Sequence, residues 1–526
     1  MSAQQEDDGK PRSPTATEGE SVENTIAAFG YEPAYRRVFG KIAGICIVIA
    51  LAAPLGAIMV SGSYQIIFAG YWGLSWGWII PNVMMIPQVI AVAELCSSMP
   101  VNGGFYWWAA ALAPPRSSRA FAFITGWFNA LAVATSLAAF AYSIAVGMSQ
   151  TMTIATDGRF VGTLAEVMAM SMAIVSFWAL IMLLRLETIN IVMMITAAFL
   201  FLSCLGFMIA LPITHAQLHL PFTSASSVFG SFKNSSDWPQ DGIAVPYCFY
   251  AVLFVNSTWT SPAYVAEETR DAARQAPRAI VESFAWTSLI GFGCCLVFAF
   301  CINDLDAAIA DPTGYPLFTV LTDHWGQKPT SACLIISIAF ATTGGSGFLL
   351  TMSTQVAAFA RDGGLPYSSL LSRVHKRTSM PVNAALLLVF LTYLFLLLAL
   401  NENASDIVYS MASISSLIIW ITPAALRLFA GIDGWYIHLL AVLTSSYFLV
   451  TRCIPPSADT PPVNVVVVLV VLGLSIAAYF FASKKFPGLD LEALEAWRHE
   501  SRECGEGGGF AQVLRQSAVE GTGGGK

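Results

Sequence analysis

The sequence predicts an all-α integral membrane protein with twelve transmembrane helices. Three observations predict this fold class: the composition, a charge-free run longer than one helix, and the distribution of basic residues. Of the 526 residues, 56% are hydrophobic and 11% are charged, whereas a soluble domain has roughly 25% charged residues. A mean hydropathy of +0.64 therefore requires a lipid bilayer as the chain's solvent.

The spans follow from the lengths of the charge-free runs. Residues 42–93 contain no Asp, Glu, Lys or Arg, and as helix they would extend about 78 Å. A hydrocarbon core of about 30 Å needs only some 20 residues, so this run holds two spans with a turn near 70–73. The same test predicts twelve spans, at about 42–69, 74–98, 121–147, 164–184, 189–213, 243–265, 282–302, 331–359, 382–400, 406–429, 435–453 and 463–483.

The basic residues indicate the orientation. An even number of spans places both termini on one side, together with 22 of the 26 Lys and Arg residues; Arg159, Lys233, Lys328 and Arg452 lie opposite. By the positive-inside rule both termini are cytoplasmic. We expect a multi-pass protein of the plasma membrane, with a vacuolar or other internal membrane as the alternative.

Two tails flank the predicted membrane domain, residues 41–485. Residues 1–40 carry seven acids among Gly, Pro, Ser and Thr, and residues 486–526 end in Gly-rich sequence. Both compositions predict disordered cytoplasmic tails. The net charge of −7 is modest and does not indicate a nucleic-acid partner.

Enzyme motifs are absent from the sequence. It has no His-Glu-x-x-His, no phosphate loop, no Gly-x-Ser-x-Gly and no paired metal-ligand cluster, so we expect neither catalysis nor a cofactor or metal. His215 and His219 have the spacing of a helical metal pair, but a Pro- and Ser-rich loop follows, and we interpret both as solvated loop residues. The glycines at 344, 345 and 347 predict close helix packing or a local bend.

Helix breakers interrupt two otherwise good spans. The first span contains Ala53-Pro54-Leu55-Gly56-Ala57, and the sixth contains Asn256-Ser257-Thr258-Trp259-Thr260-Ser261-Pro262. Interruptions at matching positions of two halves are typical of a transporter with an inverted repeat, because unwound backbone in a membrane is tolerated only where it lines a cavity or packs against protein. Two ordinary proline kinks are the alternative interpretation.

Three segments carry a resemblance to a known family. Residues 94–107, ELCSSMPVNGGFYW, resemble the end of the second span and the following loop of permeases of the amino acid–polyamine–organocation superfamily. Residues 262–269 and 277–280, PAYVAEET and PRAI, are similar to the motif after their sixth span, and residues 359–366, FARDGGLP, to the loop after their eighth. The chain most resembles the fungal permeases for amino acids, γ-aminobutyrate (GABA) and choline.

The resemblance implies a five-plus-five inverted repeat, about 42–213 and 243–429, followed by two extra spans at about 435–483. It places the substrate between the broken first and sixth spans, with Trp259 as an aromatic gate. The substrate-binding residues it implies are Pro54, Leu55, Gly56, Ala57, Ile58, Asn256, Ser257, Thr258, Trp259 and Thr260.

The resemblance also favours a cytoplasmic gate, formed by Glu94, Glu267, Glu268, Arg270 and Arg361. Solvated charges at span ends are the alternative, since exposed ion pairs contribute only about 0–1 kcal/mol. The chain departs from the family pattern in one place. Many relatives in this branch carry an acid two residues before Pro262 and a histidine two residues after it, where this chain has Thr260 and Tyr264. Without that midplane carboxylate, a purely cationic substrate lacks its counter-ion.

The polarity of the helix ends at the two breaks indicates the expected substrate. A half-helix beginning near Gly56 or Ala57 would present bare amides to a carboxylate, and the end of the first half of span six would present carbonyls to an ammonium. Choline would instead need an aromatic box, with Trp127, Phe128, Phe254 and Trp259 as candidates. We expect a secondary active transporter for an amino acid or a small amine such as GABA; the resemblance implies proton symport. The alternatives are a choline or polyamine transporter and a non-transporting amino acid receptor.

Overall fold

The computed structural model describes residues 35–400, 404–429, 435–455, 463–482, 486 and 488. These residues are mostly helical, and the only extended pairing among them consists of two isolated bridges, Phe39 with Thr269 and His375 with Met380. The predicted tails lie outside the described residues, except for 35–40, 486 and 488.

The first half of the chain contains the broken first span and the four spans that follow it. Its helices are Lys41–Ala52 (α1), Pro54–Ala69 (α2), Tyr71–Ser98 (α3), Phe105–Leu112 (α4), Pro115–Ala155 (α5), Leu164–Ile181 (α6), Leu186–Gln217 (α7) and Ala225–Gly230 (α8).

The second half begins with another broken span. Its helices are Asp241–Cys248 (α9), Tyr250–Asn256 (α10), the 3₁₀ turn Ser257–Thr260, Ser261–Tyr264 (α11), Ala272–Cys301 (α12), Leu305–Ile309 (α13), Pro316–Trp325 (α14), Gln327–Arg361 (α15), Ser368–Leu371 (α16), Val382–Leu396 (α17) with the 3₁₀ turn Leu397–Leu400, Ala404–Phe429 (α18), Trp435–Cys453 (α19) and Val463–Ala482 (α20).

The helices match the predicted spans in position. Within the described residues, nine helical segments are long and apolar enough to cross a bilayer, and the bent pair α1 and α2 makes a tenth. α17 is apolar but shorter, and α20 occupies the place of the last predicted span. Each of the twelve predicted spans therefore coincides with a helix, and the chain is an all-α multi-pass membrane protein.

One predicted turn is confirmed, and one helix continues beyond both ends of its predicted span. α2 ends at Ala69 and α3 begins at Tyr71, with Gly70 between them at a φ of 62°, inside the predicted turn. The third span, predicted at 121–147, is extended at both ends in α5. At its C-terminal end polar side chains bond back to their own helix, as where Thr151 Oγ1 donates to Gly147 O at 2.8 Å, so polarity does not end the helix there.

Burial distinguishes central from peripheral helices. The most apolar stretch of α5 is 89% buried within the protein, whereas that of α6 is 28% buried. α5 packs against α4, α6, α15 and α18, and α1 packs against α7, α12 and α15. The helices with exposed apolar side chains face the bilayer, since a lipid-facing surface needs no polar cover.

The predicted glycine packing is confirmed and the interpretation of His215 is wrong. A Cβ at Gly344 would lie 2.3 Å from Ala50 O, and one at Gly345 would lie 2.1 Å from the ring of Trp178, so α15 approaches α1 and α6 as closely as a glycine allows. His215 lies in the last turn of α7 and is fully buried. The helix continues four residues further than the loop composition suggested, and only His219 is exposed.

Candidate functional site

The first break lies between α1 and α2. Ala53 adopts the left-handed conformation, with φ 38° and ψ 59°, and the two helices meet at an angle of 42°. Pro54 is the first residue of α2, where a missing N–H costs nothing and a fixed φ suits the helix. α2 therefore begins two to three residues before the predicted start at Gly56 or Ala57.

The second break is the 3₁₀ turn between α10 and α11. The side chain of Asn256 is held at its start, donating from Nδ2 to Asn82 Oδ1 at 2.5 Å and to Ser288 Oγ at 3.1 Å. Asn82 belongs to α3 and Ser288 to α12. Asn256 thus fixes the break to its neighbours rather than facing the cavities described below.

Among the described residues, three cavities lie around these breaks. The smallest, about 40 Å³, is enclosed by the end of α1, the 3₁₀ turn and parts of α5, α15 and α18. A second, about 270 Å³, lies between α2, α10 and α18, and we call it the vestibule. A third, about 410 Å³, is almost wholly apolar and lies between α2, α5, α7, α14 and α15. Phe254 lines all three.

The predicted substrate residues divide into two groups. Ala57, Phe254, Ser257 and Thr258 line the small cavity, and Leu55, Gly56 and Ala57 line the apolar one. The others do not line these three cavities: they are Pro54, Ile58, Asn256, Trp259, Thr260, Trp127 and Phe128.

Trp259 is fully buried, and its ring packs on Trp420 with centroids 5.1 Å apart. Trp420 in turn lines the small cavity. Trp259 therefore packs behind Trp420 and does not itself line the small cavity. The rings of Trp127 and Phe123 have their centroids 6.2 Å apart. Trp127 lies about 20 Å along α5 from Phe140, which lines the small and the apolar cavity.

Sequence reasoning missed four aromatic residues at the small cavity: Phe140, Phe348, Tyr409 and Trp420. Tyr409 lines both the small cavity and the vestibule, and its hydroxyl lies 2.7 Å from Ser143 Oγ. Its ring is 5.2 Å from that of Phe254. No local signal distinguishes these residues from core aromatics, because they lie in uninterrupted apolar helices.

A buried polar cluster lies on the side of the membrane on which Tyr35–Gly40 lie, which we call the N-terminal side. Arg361 donates to both carboxylate oxygens of Glu267, at 2.9 Å and 3.0 Å. Asn102 joins this pair to the next acid: its backbone N–H donates to Glu267 Oε1 at 3.1 Å, and its Nδ2 donates to Glu268 Oε2 at 2.9 Å. We call these four residues the N-side cluster.

The chain just before α1 is held against the same cluster. The N–H of Phe39 donates to Glu268 O at 3.0 Å, and the N–H of Arg270 donates to Phe39 O at 2.9 Å. The side chain of Arg270 is directed outward and donates to Arg37 O at 3.3 Å. The broken first span is therefore fastened to the loop after the broken sixth span.

Glu268 is the unusual acid of the cluster. Burial, and then the neighbouring Glu267 carboxylate, raise the pKa of Glu268 to about 8, while the hydrogen bond from Asn102 opposes the shift. A carboxyl group with this pKa is mostly protonated at neutral pH. The raised pKa therefore favours the protonated form of Glu268 at neutral pH in this arrangement.

Glu94 lies apart from the N-side cluster. Its carboxylate pairs with Arg427 of α18 and lies 3.2 Å from His438 Nε2 of α19. His438 is fully buried. This triad joins α3 to α18 and α19. The five predicted gate residues therefore do not form one group: Glu267, Glu268 and Arg361 lie in the N-side cluster, Arg270 directs its side chain outward, and Glu94 lies in the triad.

A bundle of membrane-spanning helices, two of them broken around a central cavity, defines a class of multi-pass membrane protein that moves small molecules. The chain belongs to the amino acid permease family, since the family model described as amino acid permease matches residues 34–487. It is therefore a transporter of amino acids, not an enzyme.

Individual proteins similar to this chain are also named as permeases. The chain is 30% identical over 417 residues to an uncharacterized amino-acid permease of Schizosaccharomyces pombe, covering 78% of this chain and 75% of the relative. It is 29% identical to the GABA-specific permease of Saccharomyces cerevisiae, covering 78% and 72%. It is 23% identical to an amino-acid permease of Arabidopsis thaliana, covering 87% and 94%.

Proposed function

We propose that this permease is a secondary active transporter that imports a small amino acid, such as GABA, by proton symport and alternating access. One observation carries the proposal: helix ends of opposite polarity from the two breaks meet around the small cavity. We place the substrate there, with its carboxylate and its ammonium on different helix ends.

The ammonium end is supported by carbonyl groups. Leu51 and Ala52, the last residues of α1, and residues 253–255, near the end of α10, line the small cavity. The C-terminal end of a helix carries partial negative charge on its unpaired carbonyls. A protonated amine is stabilised there without a carboxylate counter-ion, which suits a cavity lined by no acid among the described residues.

The carboxylate end is supported by the start of α2. Ala57, in its first turn, lines both the small and the apolar cavity. Gly56 lines the adjoining apolar cavity, and a Cβ there would meet open space. The N-terminus of a helix is a favourable place for an anion. The hydroxyl of Thr258 has no partner among the described residues and offers a further hydrogen bond.

The approach to the site is supported by shared walls. Phe254 and Tyr409 line both the vestibule and the small cavity. A substrate that enters through the vestibule reaches the small cavity once these two rings move. We infer that this conformation is open toward the vestibule and closed at the N-side cluster.

Glu268 supports a proton as the coupling ion. In the closed cluster its pKa is about 8, whereas a hydrated glutamate has a pKa of about 4.3. Closing the cluster therefore takes up a proton between these two pH values, and opening it to water releases that proton. Raising the pH through about 8 removes the proton and weakens closure, because two carboxylates then lie side by side.

Replacement of Glu268 tests this coupling. Glu268→Gln keeps the shape of the protonated acid but carries no proton across, so proteoliposomes with an inward proton gradient should exchange substrate without accumulating it. Glu187→Gln, which changes an exposed acid in a surface pair with Arg36, should accumulate substrate as the natural protein does. Gradient-driven accumulation by Glu268→Gln would remove Glu268 from the coupling, and accumulation that follows sodium instead would replace the ion.

We further propose the predicted orientation: an inverted repeat with both termini in the cytoplasm, in the plasma membrane. The excess of basic residues on the side of the termini supports it. A tag in the loop at Asn234 should be accessible from outside intact cells, and a C-terminal tag only after permeabilisation. Labelling of both from the same side would contradict this topology.

Choline is the second candidate, because aromatic rings surround the small cavity. Phe140, Phe254, Phe348, Tyr409 and Trp420 all line it, as an aromatic box for a quaternary ammonium would require. Competitive uptake of amino acids, GABA, choline and polyamines into proteoliposomes separates these candidates. Competition by choline alone would overturn the zwitterion, and binding without uptake would indicate a receptor.

A further inference from the structure

Two buried histidines far apart in sequence meet on the vestibule side of the protein. His215, in the last turn of α7, and His324, in the last turn of α14, lie with Nδ1 of the first 2.8 Å from Nε2 of the second. Each of the other ring nitrogens faces a backbone carbonyl: His215 Nε2 is 3.2 Å from Pro221 O, and His324 Nδ1 is 2.6 Å from Val320 O.

These contacts determine how many protons the rings hold. A carbonyl oxygen only accepts hydrogen bonds, so both nitrogens that face carbonyls carry hydrogen. His215 Nδ1 and His324 Nε2 share a third contact, which needs one more hydrogen between them. Two neutral imidazoles supply two hydrogens in total, whereas the three contacts need three.

We propose that His215 and His324 form a binding site for one proton, and that this proton fastens α14 to the end of α7. His324 is the imidazolium and donates from Nε2 to neutral His215. Loss of the proton leaves two lone pairs facing each other, and a second proton sets two N–H groups against each other. The contact is therefore made only in the singly protonated state.

The surrounding charges suit a net charge of one on the pair. On α14, Asp323 interacts electrostatically with His324, and Asp311, in the loop before α14, with Asp323. After α7, His219 is exposed, as is Lys328 at the start of α15. α2 packs against α14 and contains no charged residue, and Asp306 of α13 is paired with Lys233. Asp323 is thus a compensating charge for the pair.

The position of α14 gives this proton a consequence. Leu317 of α14 packs on α2, where a Cβ at Gly62 would lie 2.6 Å from its Cδ1. Tyr315, just before α14, lines the vestibule, and Phe318 and Leu321 line the apolar cavity. Release of α14 would therefore uncover α2, the half-helix whose first turn lines the small and the apolar cavity. The histidine pair therefore makes the packing of α14 on α2 depend on the pH on the vestibule side.

Nuclear magnetic resonance of the ¹⁵N-histidine-labelled full chain in lipid bilayers counts these protons directly. At neutral pH we expect one imidazolium and one neutral imidazole protonated at Nε2, assigned through His215→Gln and His324→Gln. Two neutral rings or two imidazolium rings there would overturn the proposal. The natural protein alone gives this result, so a variant that fails to fold does not leave the question open.

Hydrogen exchange tests the consequence. Protection of residues 316–325, corrected for the pH dependence of intrinsic exchange, should be greatest in a middle pH range. Outside it, the opening equilibrium should rise about tenfold per pH unit, as one linked proton requires. His324→Gln keeps an N–H donor but does not titrate, so protection should persist without this dependence. His219→Gln is the matched control and should behave as the natural protein. An unchanged pH response in His324→Gln would contradict the proposal, whether or not transport is coupled to protons.

Discussion

The two sides of the proposed substrate cavity are lined by different chemistry. On the N-terminal side, Arg361 holds Glu267 in a two-point ion pair while Asn102 bonds to both acids. On the vestibule side the walls are aromatic: the rings of Tyr64 and Tyr250 lie 4.7 Å apart, and others extend the row to Phe254 and Tyr409.

The difference shows how one conformation is selected. Directional ion pairs and amide hydrogen bonds are satisfied only in a narrow geometry, so the N-side cluster is either closed or broken. Aromatic rings keep most of their contact energy through small rotations, so the vestibule can admit a substrate gradually. We therefore propose that the charged side acts as a lock and the aromatic side as an adjustable entrance.

Breaking the lock should have the largest effect. Arg361→Ala leaves Glu267, whose side chain is 4% exposed, as an uncompensated buried charge, which typically costs about 3–5 kcal/mol. We expect the closed conformation to be lost and uptake to fall to background, while the protein melts at a lower temperature in detergent.

A double substitution distinguishes the effect of an unpaired buried charge from the effect of a lost side chain. Glu267→Ala together with Arg361→Ala removes both charges, and because neighbouring groups are not additive, the double variant should regain part of the thermal stability. If the double variant is as unstable as the sum of the two single variants, the pair is not an ionic lock.

Opening the entrance should have a smaller, specific effect. Phe254→Ala removes the ring that all three cavities share, and loss of an aromatic anchor typically costs about 2–4 kcal/mol of binding. Substrate affinity measured on the purified protein should weaken accordingly, with little change in melting temperature.

Two tryptophans sharpen this comparison. Trp286 is 45% exposed and packs on Phe201, away from the cavities, so Trp286→Ala should leave affinity unchanged. Trp259→Ala removes only the support behind Trp420 and should weaken binding less than Phe254→Ala. A larger loss in Trp259→Ala would make Trp259 the aromatic gate that the family resemblance implies.

Much of the fold was predictable because its signals are local. A charge-free run of sufficient length marks a membrane span, and the clustered helix breakers around Pro54 and Pro262 mark the two breaks, since a proline removes a helical hydrogen bond. The loop motif around Asn102 was recognisable too. Gly104 has a φ of 51°, a conformation that glycine adopts readily, and so the motif is fixed by backbone geometry.

The lining of the site was less predictable because depth along a helix has no local signal. Trp127 and Phe140 both lie on α5, and nothing in their neighbourhoods says which one is level with the breaks. Tyr409 and Trp420 both belong to α18, and they line the small cavity only because of tertiary packing. His215 and His324 are 109 residues apart, so no spacing rule joins them.

The smallest effect should come from an ion pair that lies on the vestibule side but outside its walls. Lys233 pairs with Asp306, and their side chains are 43% and 75% exposed. An exposed pair contributes only about 0–1 kcal/mol, because water and salt screen it. Asp306→Asn should therefore leave uptake, affinity and melting temperature almost unchanged, measured beside Arg361→Ala under the same conditions. A loss of uptake in Asp306→Asn comparable with that in Arg361→Ala would mean that charge also closes the vestibule side. The contrast between a charged lock and an aromatic entrance would then fail, since both sides of the cavity would depend on ion pairs.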